Sequence, residues 1–124
     1  MSIYAHHNRR RTHRVYLRTR VDCRPPRGAV HEGALGNLGG GGLFVHAPAP
    51  FPVGTRLNLA FRVEGAETVG TVRASGQIVW VRRRGGDRPP GFGIRFTEIA
   101  PTHAEAIVRF LKRRLETSRR VLRA

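Results

Sequence analysis

A guanidinium group presents a rigid fork of donors that fits phosphate oxygens, or the O6/N7 edge of guanine, in a bidentate way that lysine cannot reproduce. The segment Arg9-Arg10-Arg11-Thr12-His13-Arg14 clusters such groups near the start of the chain, and Arg10 and Arg14 stand out as a pair. A second segment, Asn37-Leu38-Gly39-Gly40-Gly41-Gly42, offers complementary chemistry. The Asn37 amide has one acceptor and two donors for a nucleobase edge. The glycines after it let backbone N–H groups approach a ligand and allow positive φ. Together these segments suit a doubly charged, guanine-bearing ligand. Each also has a plain structural reading. An arginine run can be a solvated leader, and asparagine tolerates left-handed backbone and caps its own turn.

Positioning these groups requires a scaffold, and the chain alternates as strands do. Residues 1–9 read as a flexible leader. Val15, Leu17, Thr19 and Val21 then share one face, against Tyr16, Arg18, Arg20 and Asp22 on the other. Arg24-Pro25-Pro26-Arg27-Gly28 breaks this strand, and a second runs from Ala29 to Leu35, before the glycine-rich turn. Further strands are expected over Leu43–His46, Arg56–Val63, Thr68–Arg82 and Gly91–Glu98, with Glu64-Gly65-Ala66-Glu67 as a hairpin connection. Gly70 and Gly76 mark bends or bulges in the long strand. Arg83 to Pro90 reads as a basic loop. Trp80 has a base-stacking reading, but as a tryptophan in an apolar strand it is assigned to the core. Six short antiparallel strands with turns between them predict a barrel or sandwich. A helix follows over about 102–118, with Thr102 and Glu105 as a capping box and Ala104, Ile107, Val108, Leu111 and Leu115 as its apolar stripe.

Composition bounds the function. The 124 residues suit one domain, with 40% hydrophobic content and no run near the roughly 18 apolar residues that span a bilayer. No signal peptide is read at the start, and Cys23, the single cysteine, asks for no oxidising compartment. A cytoplasmic location is expected, with Cys23 a small semi-buried thiol. The formal charge of +15 points towards nucleic acid, anionic lipid or an acidic partner, although all basic residues but Lys112 are arginine, a skew that a GC-rich genome also produces. His6, His7, His13, His31, His46 and His103 have no metal-ligand spacing, and there is no triad or P-loop. An enzyme is not expected.

The order of the two segments, with one strand between them, resembles the PilZ domain, whose signature is R-x-x-x-R followed by [D/N]-x-S-x-x-G. The likeness continues through Gly42-Leu43-Phe44-Val45, Pro52-Val53-Gly54-Thr55, Gly76-Gln77-Ile78-Val79-Trp80-Val81 and Gly91-Phe92-Gly93-Ile94-Arg95-Phe96. It covers the chain from about Arg9 to Leu115. The resemblance implies an all-β fold, a six-stranded antiparallel β-barrel over residues 10–116 whose C-terminal helix is followed by a basic tail at 119–124. It implies a receptor that binds the bacterial second messenger cyclic di-GMP, as a ligand and not a cofactor, and relays the signal to an unidentified protein partner. Arg9, Arg10, Arg14, Asn37, Gly39 and Gly42 are the implied ligand residues, with Arg11 a lesser electrostatic helper. Gly39 departs from the signature, which has serine there, so a hydroxyl is missing.

Two alternatives stay open. One is a PilZ-like interaction module that does not bind cyclic di-GMP. The other is a nucleic-acid-binding small barrel, suggested by the charge and by the aromatic strand Gly91 to Phe96. Against the latter, Phe92, Ile94 and Phe96 alternate as a core face does, which leaves no aromatic platform outside.

Overall fold

Where alternation is regular, burial follows it. Strand β2 (Arg20–Arg24) buries Val21 and Cys23 and exposes Arg20 and Arg24. Strand β5 (Arg56–Phe61) buries Leu57, Leu59 and Phe61 and exposes Arg56 and Asn58. Each of the Val, Leu and Phe side chains among these contributes about 1.5–3 kcal/mol when fully removed from water. The computed structural model describes residues 15–16, 19–48, 51–63 and 70–123, with backbone alone at 15–16 and 117–123. The arginine segment at 9–14 and the hairpin connection at 64–67 lie outside the described residues.

The remaining strands are β1 (Val15–Tyr16), β3 (His31–Gly39), β4 (Gly42–His46), β6 (Val72–Arg82) and β7 (Gly91–Glu98). All neighbours pair antiparallel in the order β3-β2-β5-β6-β7-β4. β4 also pairs with β3, so these six strands close into a barrel, to which β1 adds as a short outer strand on β3. The expected first strand exists in two pieces. β2 lies beside the first half of β3, and β1 beside its second half, with Tyr16 opposite Asn37.

The second strand departs most from expectation. It continues past Leu35 to Gly39, and only Gly40 and Gly41 form the turn into β4. Asn37 is therefore a strand residue, half-buried. No left-handed φ occurs at Asn37 or from Gly39 to Gly42, so the turn-forming reading of Asn37 does not hold, and the positive φ that these glycines allow is not used. Gly54, with φ 95°, does require glycine, in the turn where Thr55 Oγ1 donates to the Pro52 carbonyl at 2.7 Å.

Helix α1 (Pro101–Arg123) runs past residue 118 into the basic segment. Proline suits its first position, where an N–H has no intrahelical partner. The expected capping box does not form. The Ala100 carbonyl accepts from His103 N at 3.0 Å and Ala104 N at 2.9 Å, while Glu105 is taken up by Arg109 at 2.7 Å, one turn on. The apolar face is also rotated: Ala106, Ile107 and Phe110 join the barrel core, and Val108 is exposed. His103 Nδ1 accepts the Arg73 N–H at 2.9 Å, tying the helix to β6.

Candidate ligand site

Two β-bulges decide what the outer barrel wall presents. Along β3, Leu35 pairs with Val45, but Asn37 pairs with Phe44, so Gly36 is the extra residue. Along β6, Ile78 pairs with Ile94, but Trp80 pairs with Gly93, so Val79 is extra. An unbroken strand would aim Asn37 the same way as buried Leu35, and Trp80 the same way as buried Ile78. Each bulge reverses the phase and turns its residue outwards. Asn37, Phe44, Gly93 and Trp80 consequently form one row across β3, β4, β7 and β6 on the outside.

The row has a flat apolar centre. Phe44 lies between Leu43 and Val45, which face the interior, so its ring lies on the outer wall. It stacks on Trp80, with ring centroids 4.9 Å apart and planes at 23°, and meets His46 edge-on at 5.1 Å. The Arg82 guanidinium carbon sits 4.6 Å from the Phe44 ring centre and 5.5 Å from that of Trp80. Desolvation, and secondarily nearby Arg88, lower the Arg82 pKa from the ordinary arginine value. A neighbouring anion would relieve that crowding of positive charge.

Glycines make the close packing feasible. A Cβ on Gly93 would collide with the Trp80 indole, and one on Gly36 would lie 2.8 Å from His46 Nε2 and 3.0 Å from Phe44 Cδ2. Gly42 pairs with Arg95, and Phe96 N donates to the Gly41 carbonyl at 2.8 Å, which anchors the hairpin against β7. Half-buried Arg95 thus stands beside the glycine turn on the outer face.

Of the residues selected from sequence, Asn37, Gly39 and Gly42 come together on the β3–β4 hairpin. Arg9, Arg10 and Arg14 lie outside the described residues. Phe44, Arg82 and Arg95 were not singled out as site residues, and the base-stacking reading of Trp80 was set below a core one. Trp80 is not in the core, and a stacked pair of rings does stand on the outside of the barrel, with Phe44 covered and Trp80 half-buried. It is built from β4 and β6, whereas Phe92 is buried and Phe96 packs against the core as expected. Gly91 and Gly93, alternating with Phe92 and Ile94, were the available signal, because glycines on an outer face leave room for rings from adjacent strands. Cys23 is buried, and desolvation, with a smaller contribution from Asp22, pushes its thiol up to about 12. No cluster of metal-ligating side chains occurs among the described residues. No helix among them is long and apolar enough to cross a membrane.

Sequence comparison identifies the family. The PilZ domain matches residues 8–113, and the chain belongs to that family. PilZ domains bind cyclic di-GMP as a ligand. No curated protein sequence matches the chain. Among solved structures, the inhibitor of motility MotI/DgrA from Bacillus subtilis has a TM-score of 0.75 and 18% identity, covering 87% of this chain and 52% of that one. The chain thus spans about half the length of that protein. The PilZ domain of YcgR from Escherichia coli, solved with c-di-GMP, has a TM-score of 0.68 and 16% identity over 92% of this chain and 97% of that one. YcgR in complex with c-di-GMP gives a TM-score of 0.71 and 18% identity, over 92% and 49% respectively.

Proposed function

We propose that this protein is a receptor for cyclic di-GMP, with residues 10–116 as its binding domain. Arg10 and Arg14 clamp phosphate and guanine edges, with Arg9 as a further cation. Asn37 meets a guanine, and the backbone from Gly39 to Gly42 accommodates the sugar-phosphate ring. The row Asn37–Phe44–Gly93–Trp80 carries this reading: it sets a nucleobase-matching amide in line with stacked rings beneath a guanidinium. Phe44 is covered, so the half-buried Trp80 is the ring open to a base, and a guanine attached to a phosphate matches the amide, that ring and the guanidinium. Chain connectivity supports a role for the arginine pair, since Arg14 directly precedes Val15, and Val15 pairs with Leu38, the neighbour of Asn37.

Binding orders the N-terminal arginine segment against the barrel and reduces the positive charge of that surface. The output is an altered interaction with a protein partner in the bacterial cytoplasm, without a chemical reaction. Calorimetric titration with cyclic di-GMP at near-physiological salt, with GTP as control, tests the reading. Saturable binding selective for cyclic di-GMP is expected, and Arg10→Ala or Arg14→Ala should abolish it without lowering Tm. Absence of binding by calorimetry and by a second method would leave a PilZ-fold interaction module, and unchanged affinity in both variants would refute the arginine assignment.

A further inference from the structure

A second wall of the barrel has different chemistry. Register aligns Arg24, Asn58, Ser75 and Glu98 in one row across β2, β5, β6 and β7. All face outwards, since Cys23, Leu59 and Ala74 beside them are buried. The row separates two hollows of about 420 and 220 Å³ that share its four residues. Arg73 lines the larger hollow and Arg56 the smaller. Ser75 Oγ donates to Asn58 Oδ1 at 2.9 Å, which leaves the Asn58 amide N–H groups to face an incoming acceptor.

Elsewhere exposed arginines find carboxylates: Arg20 pairs with Asp22 at 2.8 Å and Glu32 at 3.4 Å, and Arg109 with Glu105. Among the described residues, no carboxylate lies in salt-bridge range of Arg24, Arg56 or Arg73. We propose that this groove docks an extended acidic peptide segment of a partner protein, with carboxylates received by Arg56 and Arg73 on either side of the Asn58–Ser75 pair. Ala60 pairs with Arg73, so the two arginine rows are four residues apart along β5, about 14 Å at ~3.4 Å per residue. An extended peptide with acidic residues at positions i and i+4 matches that spacing.

The lining also distinguishes a peptide from a polynucleotide. Glu98 closes one end of the central row and repels a continuous polyanion, while it can accept a peptide N–H or a basic side chain. Among the described residues no aromatic ring lines either hollow, so they offer bases nothing on which to stack. The groove shares no residue with the proposed nucleotide site, so this inference stands independently of cyclic di-GMP binding.

The probe is a short fluorescent Ser/Thr/Val peptide carrying two glutamates four residues apart, compared with its glutamine counterpart and with single-stranded DNA of the same length. The full-length protein should bind the glutamate peptide at least tenfold more tightly than the glutamine one, with amide shifts by NMR at Asn58 and Ser75. Arg56→Gln/Arg73→Gln should weaken the glutamate peptide about tenfold, while Lys112→Gln/Arg113→Gln, with the same charge loss on the helix, should leave it unchanged. Equal weakening in both double variants would mean binding by net charge alone and would overturn the groove. So would preference for DNA, or shifts confined to other walls. Cyclic di-GMP titration of the groove variant separates the two readings: retained nucleotide affinity is expected, and a wild-type protein that binds peptide but no nucleotide loses only the proposed receptor function.

Discussion

The wall built from β3, β4 and β7, with Trp80 and Arg82 of β6, and the wall built from β2, β5 and the first half of β6 both present arginines on an outward-facing sheet. Their neighbours differ. On the first, the Arg82 guanidinium lies over Phe44 and Trp80, and the bare backbone of Gly91 and Gly93 makes room for the rings. On the second, Arg56 and Arg73 flank the hydrogen-bonded Asn58–Ser75 pair, and no ring of a described residue lines the hollows beside it. An arginine over stacked rings favours a planar, anionic heterocycle, whereas arginines spaced along open strands favour separate carboxylates. Charge alone would make these walls equivalent. Side-chain context separates them.

Replacing Gly93 should separate them most. A valine there puts a branched side chain into the Trp80 indole, displacing the stack. Cyclic di-GMP affinity should fall by more than about 100-fold, and stability by about 1–3 kcal/mol from overpacking. Acidic-peptide binding should persist in the folded variant. Equal loss of both activities would mean that the two walls act as one surface.

Trp80→Ala sharpens the contrast by removing a ring without forcing backbone apart. A lost base–aromatic contact should weaken nucleotide binding by about 1–3 kcal/mol, roughly 5- to 150-fold. Urea unfolding should change little, because Trp80 lies outside the core, whereas Phe61→Ala in the interior should cost about 3–5 kcal/mol. A Trp80→Ala loss as large as that of Phe61→Ala would make the outer stack a structural element.

Gly39→Ser has a smaller expected effect, confined to the first wall. The Gly39 φ is not left-handed, so serine suits the backbone, and the restored hydroxyl should tighten cyclic di-GMP binding by about 0.5–1.5 kcal/mol, or 2- to 10-fold. Calorimetry of the variant beside the parent decides this.

Titrating Cys23 should leave both walls unaltered and serves as the interior reference. Its thiol is raised from 9.0 to about 12, so the folded chain retains a proton that the unfolded chain releases. This contribution to stability is complete below pH 9.0 and declines as pH rises towards 12. Urea midpoints measured across that window should fall less steeply in Cys23→Ala, and an unchanged slope would remove the thiol as the cause.

Local sequence determined the parts of this protein that depend on nearest neighbours. Alternation at Val21–Cys23, at Leu57–Leu59–Phe61 and at Phe92–Ile94 located the strands and their buried faces. The arginine pair and the Asn37–Gly42 segment marked the family. Proline and glycine at positions 52 and 54 marked a turn. Gly76 was marked as a bulge site, and the pairing of β6 with β7 does shift between Ser75 and Gly76. Phase across the other two bulges was not legible, because one extra residue reverses every side chain beyond it and nothing local shows where that residue lies. Gly36 and Val79 are those residues, and only pairing with β4 and β7 reveals them. The same limit explains the helix, whose rotation is set by packing of Ala106, Ile107 and Phe110 on the barrel and by the His103–Arg73 hydrogen bond. Sequence thus determined which strands form and what chemistry they carry. Tertiary structure decided which residues share a wall, because rows across a sheet are made by register between strands distant in the chain.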